Sequence, residues 1–173
     1  SKGNLRARMR VKTERVLNDA QEFFPRSWLR VQRPADVGWI DRGHHTGHGT
    51  WQEIRLSSRR GGIRSDKDGL VTGVHEMGHE VEDTVPMALR LERLFYEQRT
   101  KGDPLQDLHL FKKGIPKDSE WTRRDKFIDE YMGKYYDGNH YEIISMGLES
   151  IWTSSYRLDA EYRSFMLGLL ALL

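Results

Sequence analysis

The sequence predicts an α+β domain in which helix dominates. Three observations predict it: an apolar stripe with helical spacing near the start, one segment that alternates between apolar and polar residues, and helical patterns through most of the later part of the chain. The chain has 173 residues, of which 37% are hydrophobic and 31% charged, enough for a core beneath a well-solvated surface. We therefore expect a single domain over residues 1–173. The chain opens on "SKGN" without a methionine, which agrees with excision from a longer polypeptide.

Composition excludes several kinds of site. There is no cysteine, so disulfides and thiolate metal sites are excluded, and a bound transition metal must use imidazole and carboxylate ligands. No run of about 18 apolar residues occurs, so we expect no membrane span. The net charge is only +2. Residues 1–15 are strongly basic, but they lack interleaved aromatic residues, so we interpret them as a solvated helix face and expect no nucleic-acid partner.

The first helix is predicted over residues 5–24, where apolar residues recur on one stripe and Pro25 follows. The segment "SWLRVQRP", residues 27–34, is predicted to be a strand that its proline closes. The next segment, "GWIDRGHHTGHG", has the composition of a glycine-rich connection. We expect the histidines of this connection to be exposed.

A second strand is predicted at "TWQEIRLS". Ile54 and Leu56 point to one side and Trp51, Glu53 and Arg55 to the other, which is the period of a half-buried strand. We expect it to pair antiparallel with the strand before it. The protein is therefore predicted to contain a small antiparallel sheet.

Helices are predicted for most of the remaining chain. A polar turn region ends at Asp68, a suitable N-cap for a helix that continues to Asp83 and that Pro86 closes. Residues 100–118 have the glycines and prolines of a long excursion, and residues 121–136 are ambiguous between strand and helix. Further helices are expected over residues 87–98, 141–152 and 159–173.

The stretch "VHEMGHEVED", residues 74–83, carries the candidate chemistry. On a helix His75 and His79 lie one turn apart on the same face, where both rings can reach one zinc ion at about 2.0–2.1 Å. Glu76 is turned roughly 100° around the helix axis, so it can take a proton from water at the metal instead of binding the metal. The competing interpretation is an ordinary charged helix, because a motif this short also arises by chance.

A zinc site of this kind needs a third protein ligand. One source is the set of histidines in the glycine-rich connection, His44, His45 and His48. The residues that follow His79 do not supply a histidine at the spacing that some zinc peptidases use. A glutamate on a later helix is the remaining source, and both Glu142 and Glu149 qualify because they lie on one face of the same predicted helix.

Two segments together resemble a known group of enzymes. "HEMGH", followed downstream by a helix that begins "EIIS", resembles the gluzincins, zinc peptidases whose third ligand is a glutamate in an E-x-x-[SA] helix. "HEMGHEVED" is more closely similar to the motif helix of the anthrax lethal factor catalytic domain and its relatives, including secreted proline-proline endopeptidases. This resemblance implies a zincin-like domain with a small antiparallel sheet packed on the HExxH helix.

The resemblance also implies roles for individual residues. The zinc ligands that it implies are His75, His79 and Glu142. It implies Glu76 as the general base for a zinc-dependent endopeptidase, which requires Zn2+ as cofactor. Tyr135 precedes Glu142 by seven residues, the distance at which these relatives carry a tyrosine that stabilises the oxyanion, and Tyr136 is its competitor.

The same resemblance implies how a substrate binds. The partner is expected to be a protein or peptide in an extended conformation. The strand Trp51–Ser57 is expected to be a sheet edge that receives this peptide by main-chain pairing. Its residues Trp51, Glu53 and Arg55 are expected to contact the substrate.

The sequence departs from the group at one point. Gluzincins often carry an acidic residue shortly after the ligand-helix motif, which orients a histidine, whereas here Ser145 is followed by Met146. A carboxylate that fixes the imidazole tautomer is needed in its place. We expect Asp83 or Glu149 to supply it.

The C-terminal part carries a second resemblance. The phrases "EIISMG" and "DAEYRSFMLG" are similar to the end of some bacteriophage minor head proteins and of related large bacterial polypeptides. That resemblance implies a zincin-like module inside a phage or effector polypeptide, which need not cut peptides. The sequence therefore leaves two functions open: a zinc endopeptidase, and a catalytically silent zincin-like structural or interaction module.

Overall fold

The structure is a computed structural model that describes residue 11 and residues 14–29, 36–40, 44–48, 51–57, 66–137, 140–154 and 157–173. In the strands before residue 58 and at residues 66–68, the description covers the backbone alone. The chain divides into two compact units, residues 1–84 and residues 85–173. None of the helices in these described ranges is long and apolar enough to cross a membrane.

The first unit begins with helix α1, residues 14–21, which confirms the central part of the helix predicted over residues 5–24. The start of that predicted helix lies outside the described residues. The apolar stripe of α1 is buried at Val16, Leu17 and Ala20. Helix α2 (Asp66–Thr84) packs closely on this stripe at Gly73, where a Cβ atom would lie 3.1 Å from the Cβ of Ala20.

A three-stranded sheet follows α1 in the first unit. Its strands are β1 (Asp36–Ile40), β2 (His44–His48) and β3 (Trp51–Ser57), in the order β1-β3-β2. Strands β2 and β3 are antiparallel, whereas β1 runs parallel to β3. An antiparallel pair was predicted, but with the segment 27–34 as the partner of β3. Strands β2 and β3 lie against α2. The predicted combination of dominant helix with a small sheet next to the histidine-bearing helix is confirmed at this level.

The prediction of a strand over residues 27–34 is wrong at its start, and the prediction of a glycine-rich connection after it is wrong. Residues Arg26–Trp28, at the start of the strand predicted from "SWLRVQRP", form a turn of 3-10 helix, and residues 30–34 lie outside the described part of the chain. The predicted glycine-rich connection instead contains the end of β1 and all of β2, so its histidines belong to a strand. Glycine and histidine have little intrinsic strand preference, so pairing with β3 decides the conformation of this segment.

Strand β3 occupies the centre of the sheet, and the prediction of a free edge at Trp51–Ser57 is therefore wrong. Its backbone pairs with β1 on one side and with β2 on the other. A strand that is paired on both sides has no free row of N–H and C=O groups to bind an extended peptide. The side chains of Trp51, Glu53 and Arg55 lie outside the described residues, so their contact with a substrate stays a prediction.

Helix α2 begins at Asp66, so the prediction that Asp68 caps it is wrong. The extra turn at the start is consistent with the absence of any helix-breaking residue between these two aspartates. The helix ends at Thr84, close to the predicted end, because Pro86 cannot continue it. Its core side is formed by three buried residues, Val74, Met77 and Val81.

The second unit begins with helix α3 (Pro86–Arg99), whose proline occupies the first turn, where its missing N–H is not needed. The predicted excursion and the ambiguous segment after it form a small antiparallel sheet of two-residue strands. These strands are β4 (Gln106–Asp107), β5 (Trp121–Thr122) and β6 (Lys134–Tyr135), in the order β4-β5-β6. A 3-10 turn at Glu130–Gly133 leads directly into β6.

Helices α4 (Ile143–Thr153) and α5 (Ala160–Leu172) complete the second unit and confirm the last two predicted helices. They approach closely at Gly147, where a Cβ atom would lie 2.5 Å from the Sδ of Met166. The start of α5 is fixed by Asp159, whose side chain accepts a hydrogen bond from the backbone N–H of Tyr162.

Arg99 joins α3 to the start of α5. Its guanidinium donates to Asp125 at 2.7 Å and to Asp159 at 3.1 Å, and it lies 4.8 Å from the ring centre of Phe127. Burial by itself would raise the pKa of Asp159, but the hydrogen bond from Arg99 and the backbone donors at the start of α5 lower it. This ion-pair cluster holds together the two helices that flank α4.

Gly133 provides a test of the packing around β6. A Cβ atom there would lie 2.0 Å from the carbonyl oxygen of Arg123, a backbone atom that cannot easily move. We expect Gly133→Ala to lower the free energy of unfolding by about 3 kcal/mol, measured by denaturant titration. The control is Gly168→Ala, because open space surrounds that glycine in α5, and it should stabilise by about 0.5–1 kcal/mol. Equal unfolding midpoints for the two variants would contradict this packing.

Candidate metal centre

Helix α2 brings two histidine rings together. The ring centroids of His75 and His79 are 5.1 Å apart, and the ring planes meet at 84°. The side chain of His79 is 15% exposed, so this face of the helix is not sealed into the core. The structure thus confirms that the two residues share one helical face, which is the arrangement that lets two imidazoles bind one cation.

Glu82 orients the ring of His79. Its Oε1 lies 3.1 Å from the Nδ1 of His79, and its side chain is fully buried. With this carboxylate as acceptor, Nδ1 carries the proton and Nε2 keeps its lone pair for a cation. Glu82 is a residue that the sequence-based expectation of Asp83 or Glu149 misses. The signal that could have found it is its spacing of three residues from His79 on a helix.

Glu76 follows His75 on α2 and is only 3% exposed. Helix geometry turns its side chain by roughly 100° relative to His75, so it lies beside the two-histidine face. It is one of three glutamates that α2 buries, together with Glu80 and Glu82. Glu80 accepts a hydrogen bond from the hydroxyl of Thr84, and Glu82 lies against His79, so α2 carries buried carboxylates close to its two imidazoles.

Glu142 is the residue before α4 and is 1% exposed. Both of its carboxylate oxygens accept hydrogen bonds. The hydroxyl of Tyr136 donates to Oε1, and the hydroxyl of Ser145 donates to Oε2 at 3.2 Å. Two donors fix the plane of the carboxylate, and each oxygen has a second lone pair with which it could bind a cation.

The first turn of α4 is held by the two helices beside it. The cap residue, Glu142, makes no capping hydrogen bond with its own side chain. Instead, the buried carboxylate of Glu92 in α3 accepts a hydrogen bond from the backbone N–H of Ile144 at 2.7 Å. From α5, the hydroxyl of Tyr162 donates to the backbone carbonyl of Ile143. The position of Glu142 therefore depends on α3 and α5 as much as on α4.

The three residues that were predicted to be metal ligands meet the geometric condition for a group that could hold a metal ion. His75, His79 and Glu142 each offer one ligand atom, and these atoms all lie within 4.8 Å of one another. Bonds of about 2.0–2.2 Å to a single zinc ion place its ligand atoms roughly 3–4 Å apart, which is within this limit. No second group of this kind occurs in the part of the chain that the structure describes.

The two neighbouring tyrosines contact different partners. Tyr135 lies in β6 opposite Trp121, and the guanidinium of Arg123 is 5.8 Å from its ring centre. Tyr136 donates its hydroxyl to Glu142, and burial, followed by the negative charge of Glu142, raises its pKa, so the hydroxyl keeps its proton at neutral pH. The structure therefore gives Tyr136 a contact with the candidate ligand, whereas the oxyanion role of Tyr135 stays a prediction.

The other predicted site residues lie on α2, α4 and β2. Asp83 is half-buried in the last turn of α2, and Glu149 is buried in α4, where its backbone carbonyl accepts a hydrogen bond from Thr153. Their predicted role in orienting an imidazole stays a prediction. Strand β2 contains the remaining histidines, His44, His45 and His48, whose side chains lie outside the described residues.

Comparison of the chain with models of known families, with curated proteins and with solved structures gave no match. The interpretation of the site therefore depends on its own chemistry. That chemistry consists of two imidazoles, a buried carboxylate held by two hydroxyls, and further buried carboxylates on α2.

Glu92 provides a test of how the site is positioned that requires no metal. Glu92→Ala removes the acceptor for the backbone N–H of Ile144, and we expect a loss of about 1–3 kcal/mol in the free energy of unfolding, measured in denaturant. The control is Glu97→Ala on the same helix. That side chain is 62% exposed, and its ion pair with Arg93 is long, at 4.0 Å, and exposed to solvent. It should change stability by less than about 0.5 kcal/mol. A loss of the same size in both variants would contradict the capping role.

Proposed function

We propose that this chain is a zinc-dependent endopeptidase of the gluzincin type, with a zincin-like fold. The observation that carries the proposal is the grouping of His75, His79 and Glu142 within 4.8 Å, with Glu76 adjacent to the first histidine. An HExxH sequence that arose by chance on a charged helix has no reason to lie near a buried carboxylate from a distant part of the chain. The grouping thus favours a metal site over an ordinary helix.

The donor set fits zinc better than the other common cations. Two imidazoles and one carboxylate are ligands that zinc accepts, and three protein ligands leave a fourth position open, as in catalytic zinc sites. Calcium and magnesium prefer sites made wholly of oxygen ligands. The contact of Glu82 with Nδ1 of His79 is the arrangement found around metal-bound histidines, because it directs the lone pair of Nε2 outward.

In this proposal the zinc ion, Glu76 and Tyr135 have separate roles. Zinc, when bound, would polarise a peptide carbonyl and lower the pKa of a water molecule toward about 7. Glu76 would accept a proton from the attacking water and pass it to the departing amine. The hydroxyl of Tyr135, in the role that its spacing from Glu142 implies, would donate to the oxygen on which negative charge develops.

Metal content tests the centre directly. Purified protein is expected to hold about one zinc ion per chain by elemental analysis, because one group of three ligands is present. His75→Ala should lose most of this zinc. The control is His109→Ala, since His109 lies outside the group and its Nδ1 is 2.8 Å from the carbonyl oxygen of Ile115. Wild-type protein that takes up no zinc would overturn the proposal.

Glu76→Gln tests the general base. We expect it to keep wild-type zinc content and to lower the turnover of an unstructured peptide library by about 100- to 10,000-fold, followed by mass spectrometry with a chelator control. The matched control is Glu80→Gln, the same change one turn further along α2, where Glu80 accepts a hydrogen bond from Thr84. That variant should retain its turnover. If wild-type protein binds zinc but cleaves nothing, the silent zincin-like module is the better description.

A further inference from the structure

Lys134 is a buried cation within the β4-β5-β6 sheet. Its Nζ lies 2.9 Å from the Oε2 of Glu120, 3.1 Å from the hydroxyl of Tyr131 and 4.2 Å from the ring centre of Tyr136. The side chain is only 11% exposed. An ammonium group that leaves water needs compensation, and the carboxylate, the hydroxyl and the aromatic ring together provide it.

Tyr136 connects this cation to the candidate metal centre. Its ring lies against the Lys134 ammonium, and its hydroxyl donates to Oε1 of Glu142. The cation–π attraction restrains the ring, and the hydrogen bond then restrains the carboxylate. Glu120, Lys134, Tyr136 and Glu142 thus form a continuous chain of contacts within the second unit.

The segment that carries these two residues is itself fixed. The backbone carbonyl of Gly133 accepts hydrogen bonds from the hydroxyl of Tyr96 at 3.0 Å and from the backbone N–H of Arg123 at 2.9 Å. Lys134 then pairs with Thr122 in the sheet. The Tyr136 side chain therefore starts from a defined backbone position, as a residue that orients a neighbour must.

We propose that Lys134 and Tyr136 are positioning residues for Glu142: Lys134 restrains the Tyr136 ring, and the Tyr136 hydroxyl sets the orientation of the carboxylate that binds the metal. This inference rests on the proposed function, in which Glu142 is the third zinc ligand. The inference assigns different roles to the two adjacent tyrosines. Tyr136 acts through Glu142 on metal binding, whereas Tyr135 is reserved for the oxyanion.

Zinc affinity, measured by competition with a chromophoric chelator, tests this division. We expect Tyr136→Phe to weaken zinc binding by about 10- to 100-fold, the usual effect of removing a hydrogen-bond partner of a metal ligand. Tyr135→Phe is the matched comparison, because it removes the neighbouring hydroxyl, and it should change the affinity by less than about twofold. Far-UV circular dichroism checks that each variant is folded.

A second pair of variants addresses Lys134, and it remains informative if Tyr136→Phe does not fold. Lys134→Met removes the cation and should weaken zinc binding by about 3- to 30-fold, whereas Lys134→Arg keeps a cation near the ring and should recover most of the affinity. The visible spectrum of the cobalt-substituted protein provides a readout that general destabilisation does not move. We expect Tyr136→Phe and Lys134→Met to shift its bands, because the carboxylate ligand is reoriented.

The outcomes distinguish this inference from the function on which it rests. Wild-type affinity and an unchanged cobalt spectrum in both Tyr136→Phe and Lys134→Met would overturn the positioning role and leave the zinc centre intact. An equal loss of affinity in Tyr135→Phe and Tyr136→Phe would overturn the division between the tyrosines. Failure of the wild-type chain to bind zinc or cobalt would overturn the proposed function and this inference together.

Discussion

The buried carboxylate of Glu142 is the constraint on which the rest of the candidate centre depends. A carboxylate that loses almost all contact with water must find other polar partners, and here Tyr136 and Ser145 supply them. Glu92 and Tyr162, from two other helices, form hydrogen bonds with the backbone of the helical turn that follows Glu142. Contacts from three other parts of the second unit therefore restrain this side chain and the first turn of α4, and the metal ligand that we propose would need such restraint.

Helix α2 contributes to the candidate centre mainly through contacts between residues that are three or four positions apart in the sequence. His75 and His79 share a face by the period of the helix, and Glu82 reaches His79 by the same rule one turn on. Such contacts form wherever the helix forms. The sequence thus predicted correctly that the two histidines share a face of the helix. The contact of Glu82 could have been predicted in the same way, although Asp83 or Glu149 was expected to orient an imidazole.

The sheet of the first unit shows the opposite case. Alternation along Trp51–Ser57 predicted a strand correctly, but alternation reports which side chains share a face and not how many strands lie beside it. The neighbours β1 and β2 come from a segment whose glycines and histidines do not favour strand, so their conformation depends on pairing with β3. The sequence therefore could not show that β3 has a neighbour on each side, and the prediction that it is a free edge was wrong.

The sequence alone determined the helical framework, the strand at Trp51–Ser57 and the shared face of the two histidines, because helix and strand periodicity are properties of neighbouring residues. On the residues alone it left the third ligand open among Glu142, Glu149 and the histidines of residues 44–48, and resemblance to the gluzincins favoured Glu142. Only the tertiary structure decided which carboxylate lies within 4.8 Å of both rings, and that the Tyr136 hydroxyl contacts it. The contacts that hold the turn at Glu142, such as that of Glu92 with the backbone N–H of Ile144, join helices distant in the sequence within the second unit, and no local pattern encodes that packing.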